Sequence, residues 1–87
     1  MPKPAVPTTP QDLEAWLTER VAFYLECPAD EIDPHGPFPE LGLDSIYALT
    51  LCGDIEDALG LVVAPVVTWD HPTVVQLAAH LREELNR

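Results

Sequence analysis

Proline and glycine cut this chain into segments, and in three of the segments apolar residues recur at helical spacing. In the first, Leu13, Trp16, Leu17, Val21, Tyr24 and Leu25 form the stripe. Thr9 suits a helix N-cap, Pro10 the first helical position and Asp12 the first turn. Pro28 is expected to end this helix, because the residue before a proline disfavours helical backbone. A second helix is expected from Asp44 to Leu59, stopped by Gly60. Turning its residues by about 100° each separates two faces. Ala48, Leu51, Cys52, Ile55 and Leu59 fall on one side; Ile46, Leu49, Thr50, Gly53, Glu56 and Asp57 fall towards the other. The last helix opens after Pro72 with the capping-box pattern Thr73-x-x-Gln76. Its stripe is Val74, Leu77, Ala78, Leu81 and Leu85.

The segments between are unequal. Residues 27–43 hold Pro28, Pro34, Gly36, Pro37, Pro39 and Gly42, which predicts a long loop. Ile32, Phe38 and Leu41 are the residues expected to pin it to the helices. In residues 61–72, Pro65 can open a brief helix running through Trp69. The β-branched Val62, Val63, Val66 and Val67 also suit a strand, but a lone strand has no pairing partner here. The expected fold is therefore all-α: a small four-helix bundle of three main helices and one short helix, with a long loop between helices one and two. Its 87 residues suit one domain with a modest core, which leaves little room for a deep enzyme pocket. Residues 1–8 are expected to form a flexible proline-rich tail, and residues 9–87 the folded domain.

Charge narrows the partners. The formal net charge is -11, and no Lys or Arg occurs between Arg20 and Arg82. Such a surface repels nucleic acid and anionic membranes and attracts proteins with basic patches. There is no long apolar run for a membrane span and no basic-then-apolar leader. Cys27 and Cys52 lack disulfide-framework or zinc spacing and read as reduced thiols, which fits a cytoplasmic setting. His35, His71 and His80 show no spacing that requires convergence on a metal. A Ser45–His71–Asp70 triad is formally available, but Gly-x-Ser-x-Gly is absent and the chain is too short for a hydrolase sheet. Trp16 and Trp69 are expected to be core or boundary aromatics, and Tyr47 to be partly buried.

The most specific segment is Leu41-Gly42-Leu43-Asp44-Ser45-Ile46-Tyr47-Ala48-Leu49. It resembles the attachment motif of the acyl carrier protein family, with Gly42, Asp44, Ser45 and Ile46 at the matching positions. The resemblance continues upstream through Phe38-Pro39-Glu40-Leu41. Downstream, Trp69-Asp70-His71-Pro72-Thr73 and Leu77-Ala78-Ala79-His80-Leu81 are similar to carriers of modular polyketide synthases. It implies that a phosphopantetheinyl transferase places 4′-phosphopantetheine on Ser45, with Asp44 helping to orient the transferase. It implies a monomeric, non-catalytic carrier of acyl thioesters, served by an acyltransferase, a ketosynthase or an acyl- or aminoacyl-loading ligase with basic docking patches. Ile46 and Leu49, with Thr50 and Gly53 beside them and Asp54, Glu56 and Asp57 as an acidic rim, are the candidate partner surface. Thr50 and Gly53 depart from fatty-acid-synthesis carriers, which have an acid and a bulky residue there, and this favours a dedicated pathway.

Three other readings remain. One is a peptidyl or aminoacyl carrier of a nonribosomal system, although those tend to have Gly-Gly-x-Ser, whereas Leu43-Asp44 precedes Ser45 here. An acidic helical adaptor without a prosthetic group is another, and it needs no serine at position 45. The last is a small hydrolase, which needs His71 beside Ser45.

Overall fold

The structure, a computed structural model, describes residues 10–86, so the cap expected at Thr9 and the tail over residues 1–8 lie outside the described residues. The helices in chain order are α1 (Pro10–Leu25), α2 (Phe38–Leu41), α3 (Ser45–Leu59), α4 (Val66–Asp70) and α5 (Val74–Leu85), with a 3-10 turn at Ala29–Glu31. The described residues contain no strand, and Val62–Val67 split between an irregular link and the start of α4. Pro65 precedes α4 with helical backbone angles, as expected for a residue that opens the short helix.

The three stripes form the core. Leu13, Leu17 and Val21 of α1, Leu51 and Ile55 of α3, and Val74, Leu77 and Leu81 of α5 are all fully buried. Burial of each such side chain contributes about 1.5–3 kcal/mol. The α1 helix lies chiefly along α5 and touches α3 less extensively. Thr73 Oγ1 accepts from the Gln76 N–H at 3.1 Å, so α5 is capped as expected.

Two findings refine the expected layout. First, α1 stops at Leu25, before Pro28 is reached. Glu26 takes left-handed backbone (φ 56°). Its N–H bonds the Phe23 carbonyl, and the Cys27 N–H bonds that of Ala22. This paired closure is a Schellman motif, and Pro28 follows in the position that forbids resumption. Second, the long loop is internally built. Ile32 and Phe38 are buried and Leu41 is partly buried against the core, as expected of anchors. Beyond these, the 3-10 turn and the single turn of α2 give the loop its own hydrogen bonds. Phe38 N–H donates to the Pro72 carbonyl at 2.7 Å, and Val75 N–H to that of Pro34 at 3.1 Å. Those two bonds strap the loop to the α4–α5 junction.

The attachment motif at the start of the third helix

Three residues before Ser45, the chain makes a turn that sets the axis of α3. Gly42 has φ 101°, a conformation L side chains rarely adopt. Its N–H closes α2 and the Leu43 N–H returns to the Phe38 carbonyl at 3.1 Å. Leu43 is buried, so the turn is fixed from below. Asp44 follows in extended backbone and caps α3: its Oδ1 accepts from the Tyr47 N–H at 3.1 Å. That is the bond of an N-cap aspartate.

Ser45 is the first residue of α3 and is exposed. Among the described residues, no side chain hydrogen-bonds its hydroxyl. His71, the base a hydrolase would require, stacks its ring on that of His80 with centroids 4.3 Å apart. His35 is exposed in the loop. Among the described residues, no group of three or more His, Cys, Asp or Glu is placed to hold a metal.

The two faces of α3 separate as the spacing predicts. Ala48, Leu51, Cys52 and Ile55 point into the core and Leu59 packs at its edge. Ile46 is 70% exposed and Leu49 58% exposed, so neither is covered by the loop. Thr50, Gly53, Glu56 and Asp57 are exposed along the same flank. The Thr50 hydroxyl donates back to the Ile46 carbonyl at 3.0 Å. A Cβ built at Gly53 meets nothing within 4 Å.

Asp54 is different. It is half-buried and its carboxylate accepts the Tyr24 hydroxyl of α1. Arg20 Nε stands 3.5 Å from the same oxygen. The guanidinium also lies 4.8 Å from the Phe23 ring centroid and 5.6 Å from that of Tyr24. Burial first, then the Asp54 carboxylate, push the Tyr24 phenol well above its ordinary range, while Arg20 opposes with a smaller effect. Tyr47 is partly buried and stacks on Tyr24 at 5.8 Å. Sequence reasoning missed this cluster and the His71–His80 stack, since each joins residues on different helices. Cys27 and Cys52 are both free, and burial raises the Cys52 thiol. Trp16 packs at the core edge as expected, whereas Trp69 is 48% exposed.

Helical bundle, capped helix start and exposed serine match one known family: residues 15–81 fit the phosphopantetheine attachment site, and the chain belongs to that family of carrier proteins. It is 39% identical over 70 residues to a phenolphthiocerol/phthiocerol polyketide synthase of Mycobacterium tuberculosis, an alignment covering 80% of this chain and 4% of that protein. The chain thus spans a small fraction of the length of the curated relatives it matches. Among solved structures, it resembles a free-standing peptidyl carrier protein from a secondary metabolic pathway of Acinetobacter baumannii. That match has TM-score 0.87 and 37% identity, covering 90% of this chain and 98% of the other. An acyl carrier protein of Anabaena sp. PCC 7120 with a variant phosphopantetheinylation-site sequence gives TM-score 0.85 and 34% identity, covering 98% and 97%. The cofactor of this chain is accordingly 4′-phosphopantetheine. No helix among the described residues is long and apolar enough to cross a membrane.

Proposed function

We propose that Ser45 carries the 4′-phosphopantetheine group and that the chain is a non-catalytic carrier of acyl intermediates in polyketide assembly. The observation that carries this reading is the exposed Ser45 at the first position of α3, inside the matched region and behind the Asp44 cap. The residues fit the group. The Ser45 hydroxyl is open to a modifying enzyme: as its Oγ–P bond forms, the pyrophosphate P–O bond of coenzyme A breaks, adenosine 3′,5′-bisphosphate leaves, and the hydroxyl proton passes to a base of the transferase. The first-turn N–H groups of α3 favour the phosphodiester charge by about 0.3–1 kcal/mol when exposed. When bound, the group supplies a terminal thiol on which acyl chains ride as thioesters. Asp44 holds the helix start rigid and offers its second oxygen to the transferase.

The exposed flank of α3 supports a docking role. Ile46 and Leu49 supply apolar contact, Thr50 and Gly53 keep the surface low, and Glu56 and Asp57 attract basic partners. Asp54 braces this flank from behind through Tyr24 and Arg20. The partners are then a phosphopantetheinyl transferase and the acyltransferase, ketosynthase or loading ligase of a synthase. A polyketide setting is supported by the curated relatives.

The test is loading. The protein is incubated with coenzyme A, magnesium and a broad-specificity phosphopantetheinyl transferase, and its intact mass is measured. One phosphopantetheinyl increment is expected, and none for Ser45→Ala. Absence of the increment, while a control carrier is modified, overturns the reading.

A further inference from the structure

Phe38 stands between Pro37 and Pro39, so its N–H is the only backbone donor those three residues possess. That N–H donates to the Pro72 carbonyl at 2.7 Å, and the Phe38 carbonyl accepts from the Leu43 N–H at 3.1 Å. We infer that Phe38 is a positioning residue for the modification of Ser45, tying the turn that carries the serine to the corner between α4 and α5. The inference rests on Ser45 being the attachment residue and adds what holds that serine in place.

Ser45 has little to fix it directly. It is the first residue of α3, it is exposed, and among the described residues no side chain bonds its hydroxyl. Helix ends fray, so the place of a first-turn residue depends on the chain in front of it. That chain is Gly42, Leu43 and Asp44. Asp44 is exposed and caps forwards, onto the Tyr47 N–H. Leu43 is buried and ties the turn backwards, and its bond ends on Phe38.

Phe38 is itself anchored twice. Its side chain is buried in the core cluster. Its N–H reaches a carbonyl whose neighbours are both fixed. On one side of Pro72, the His71 ring stacks on His80 of α5. On the other, Thr73 caps α5 through the Gln76 N–H. The Pro72 ring also restricts its own φ. A continuous set of contacts therefore runs from His80 through His71, Pro72, Phe38 and Leu43 to the residue before the Asp44 cap. Leu49, Gly53, Glu56 and Asp57 lie outside it, exposed further along α3.

A residue that only fills the core acts on Ser45 through overall stability, and leaves the folded protein fully reactive. A positioning residue acts on the transfer step while the transferase still docks on the unchanged flank of α3. Its loss therefore lowers kcat and leaves KM in place. A misplacement of about 1 Å can cost about a hundredfold in rate, so partial loosening of this turn should cost roughly tenfold.

The experiment follows loading of the full chain by a broad-specificity transferase and coenzyme A, read by intact mass over a range of carrier concentrations. The temperature is one at which circular dichroism shows each variant folded. Phe38→Leu should lower kcat roughly tenfold and move KM by less than about twofold. Val21→Ala, a core truncation on α1, should leave both constants as they are. His71→Ala should lower kcat roughly threefold. The double variant Phe38→Leu with His71→Ala should be no slower than Phe38→Leu alone, because both interrupt one set of contacts. Hydrogen exchange gives a readout without any enzyme, and decides the matter if Phe38→Leu does not fold. His71→Ala should speed exchange of the Leu43 amide by about threefold or more and leave that of Leu51, in the middle of α3, unchanged. A rise in KM with kcat intact, an equal fall of kcat in Val21→Ala, additive losses in the double variant, or unchanged Leu43 exchange overturns the inference. A parent chain that gains no phosphopantetheinyl mass overturns the attachment reading instead, and that case is identified before any variant is compared.

Discussion

Replacing Tyr24 with phenylalanine asks whether α1 and α3 are joined by a charge-assisted hydrogen bond or by ring packing alone. The substitution keeps the ring, its stack on Tyr47 and its edge contact with Phe23. It removes the hydroxyl that donates to Asp54. A hydrogen bond to a charged group is worth about 1.5–3 kcal/mol, and half-burial at this site places the loss near the lower end. Each kcal/mol moves the melting temperature of a domain this size by about 4–8 °C, so a drop of roughly 6–12 °C is expected. Thermal and urea unfolding followed by circular dichroism measure it. A double-mutant cycle with Asp54→Ala isolates the pair. If Tyr24→Phe costs the same in both backgrounds, within about 0.5 kcal/mol, the bond contributes nothing and the reasoning fails. The pH dependence gives an independent check. The folded protein holds the Tyr24 proton at pH values where the unfolded chain, titrating near pH 10, has released it. The unfolded state then binds fewer protons than the folded one, so stability falls as pH rises. The contribution is intact below about pH 10 and is progressively lost above it. Tyr24→Phe should be flatter than the parent in that alkaline window and no flatter below it.

The remaining predictions concern single backbone or surface positions. Asp44→Ala removes the cap bond to the Tyr47 N–H and should cost about 1 kcal/mol in urea unfolding, with Asp44→Asn retaining most of it. Glu26→Gly relieves the left-handed backbone at the end of α1 and should raise stability by roughly 0.5–1 kcal/mol; a loss would show that the Glu26 side chain contributes more than its strain costs. Gly53→Ala fills open space in a helix interior and should raise stability by about 0.8–1 kcal/mol. If the flank docks partners, the same methyl group should weaken capture by an acyl-loading enzyme, read by surface plasmon resonance.

What was legible in the sequence follows the range of the interactions involved. Leu13, Leu17 and Val21 share a stripe because four residues make about one turn, and the structure buries all three. Gly60 was readable as a stop for the same local reason: its φ of 70° closes α3. Asp44-Ser45 declared a helix start, and Asp44 caps it. The single turn of α2 was not legible, because four residues are too few to show a period. Nor was the end of α1, where a Schellman closure falls on glutamate and lacks its usual glycine. Arg20, Tyr24 and Asp54 meet only because α1 lies against α3, and His71 reaches His80 only after the α4–α5 turn. No spacing rule links such residues. A groove beside Tyr47 belongs to the same category, since its walls come from α1, its C-terminal turn and α3.

The Arg20–Asp54 pairing also changes how the charge of the chain should be understood. The sequence places Asp54 beside Glu56 and Asp57, which suggests a uniform acidic rim. In the fold, Asp54 turns towards α1 and is met by Arg20, the one cation between Lys3 and Arg82. Its charge is paired within the molecule. Glu56 and Asp57 stay exposed on the outer flank with Ile46 and Leu49. One helix therefore presents two surfaces of different character. The outer flank is apolar with free carboxylates and suits a basic enzyme. The side facing α1 is aromatic with its charges paired. Ser45, the first residue of α3, falls on the side of the outer flank, about 200° round the axis from Tyr47.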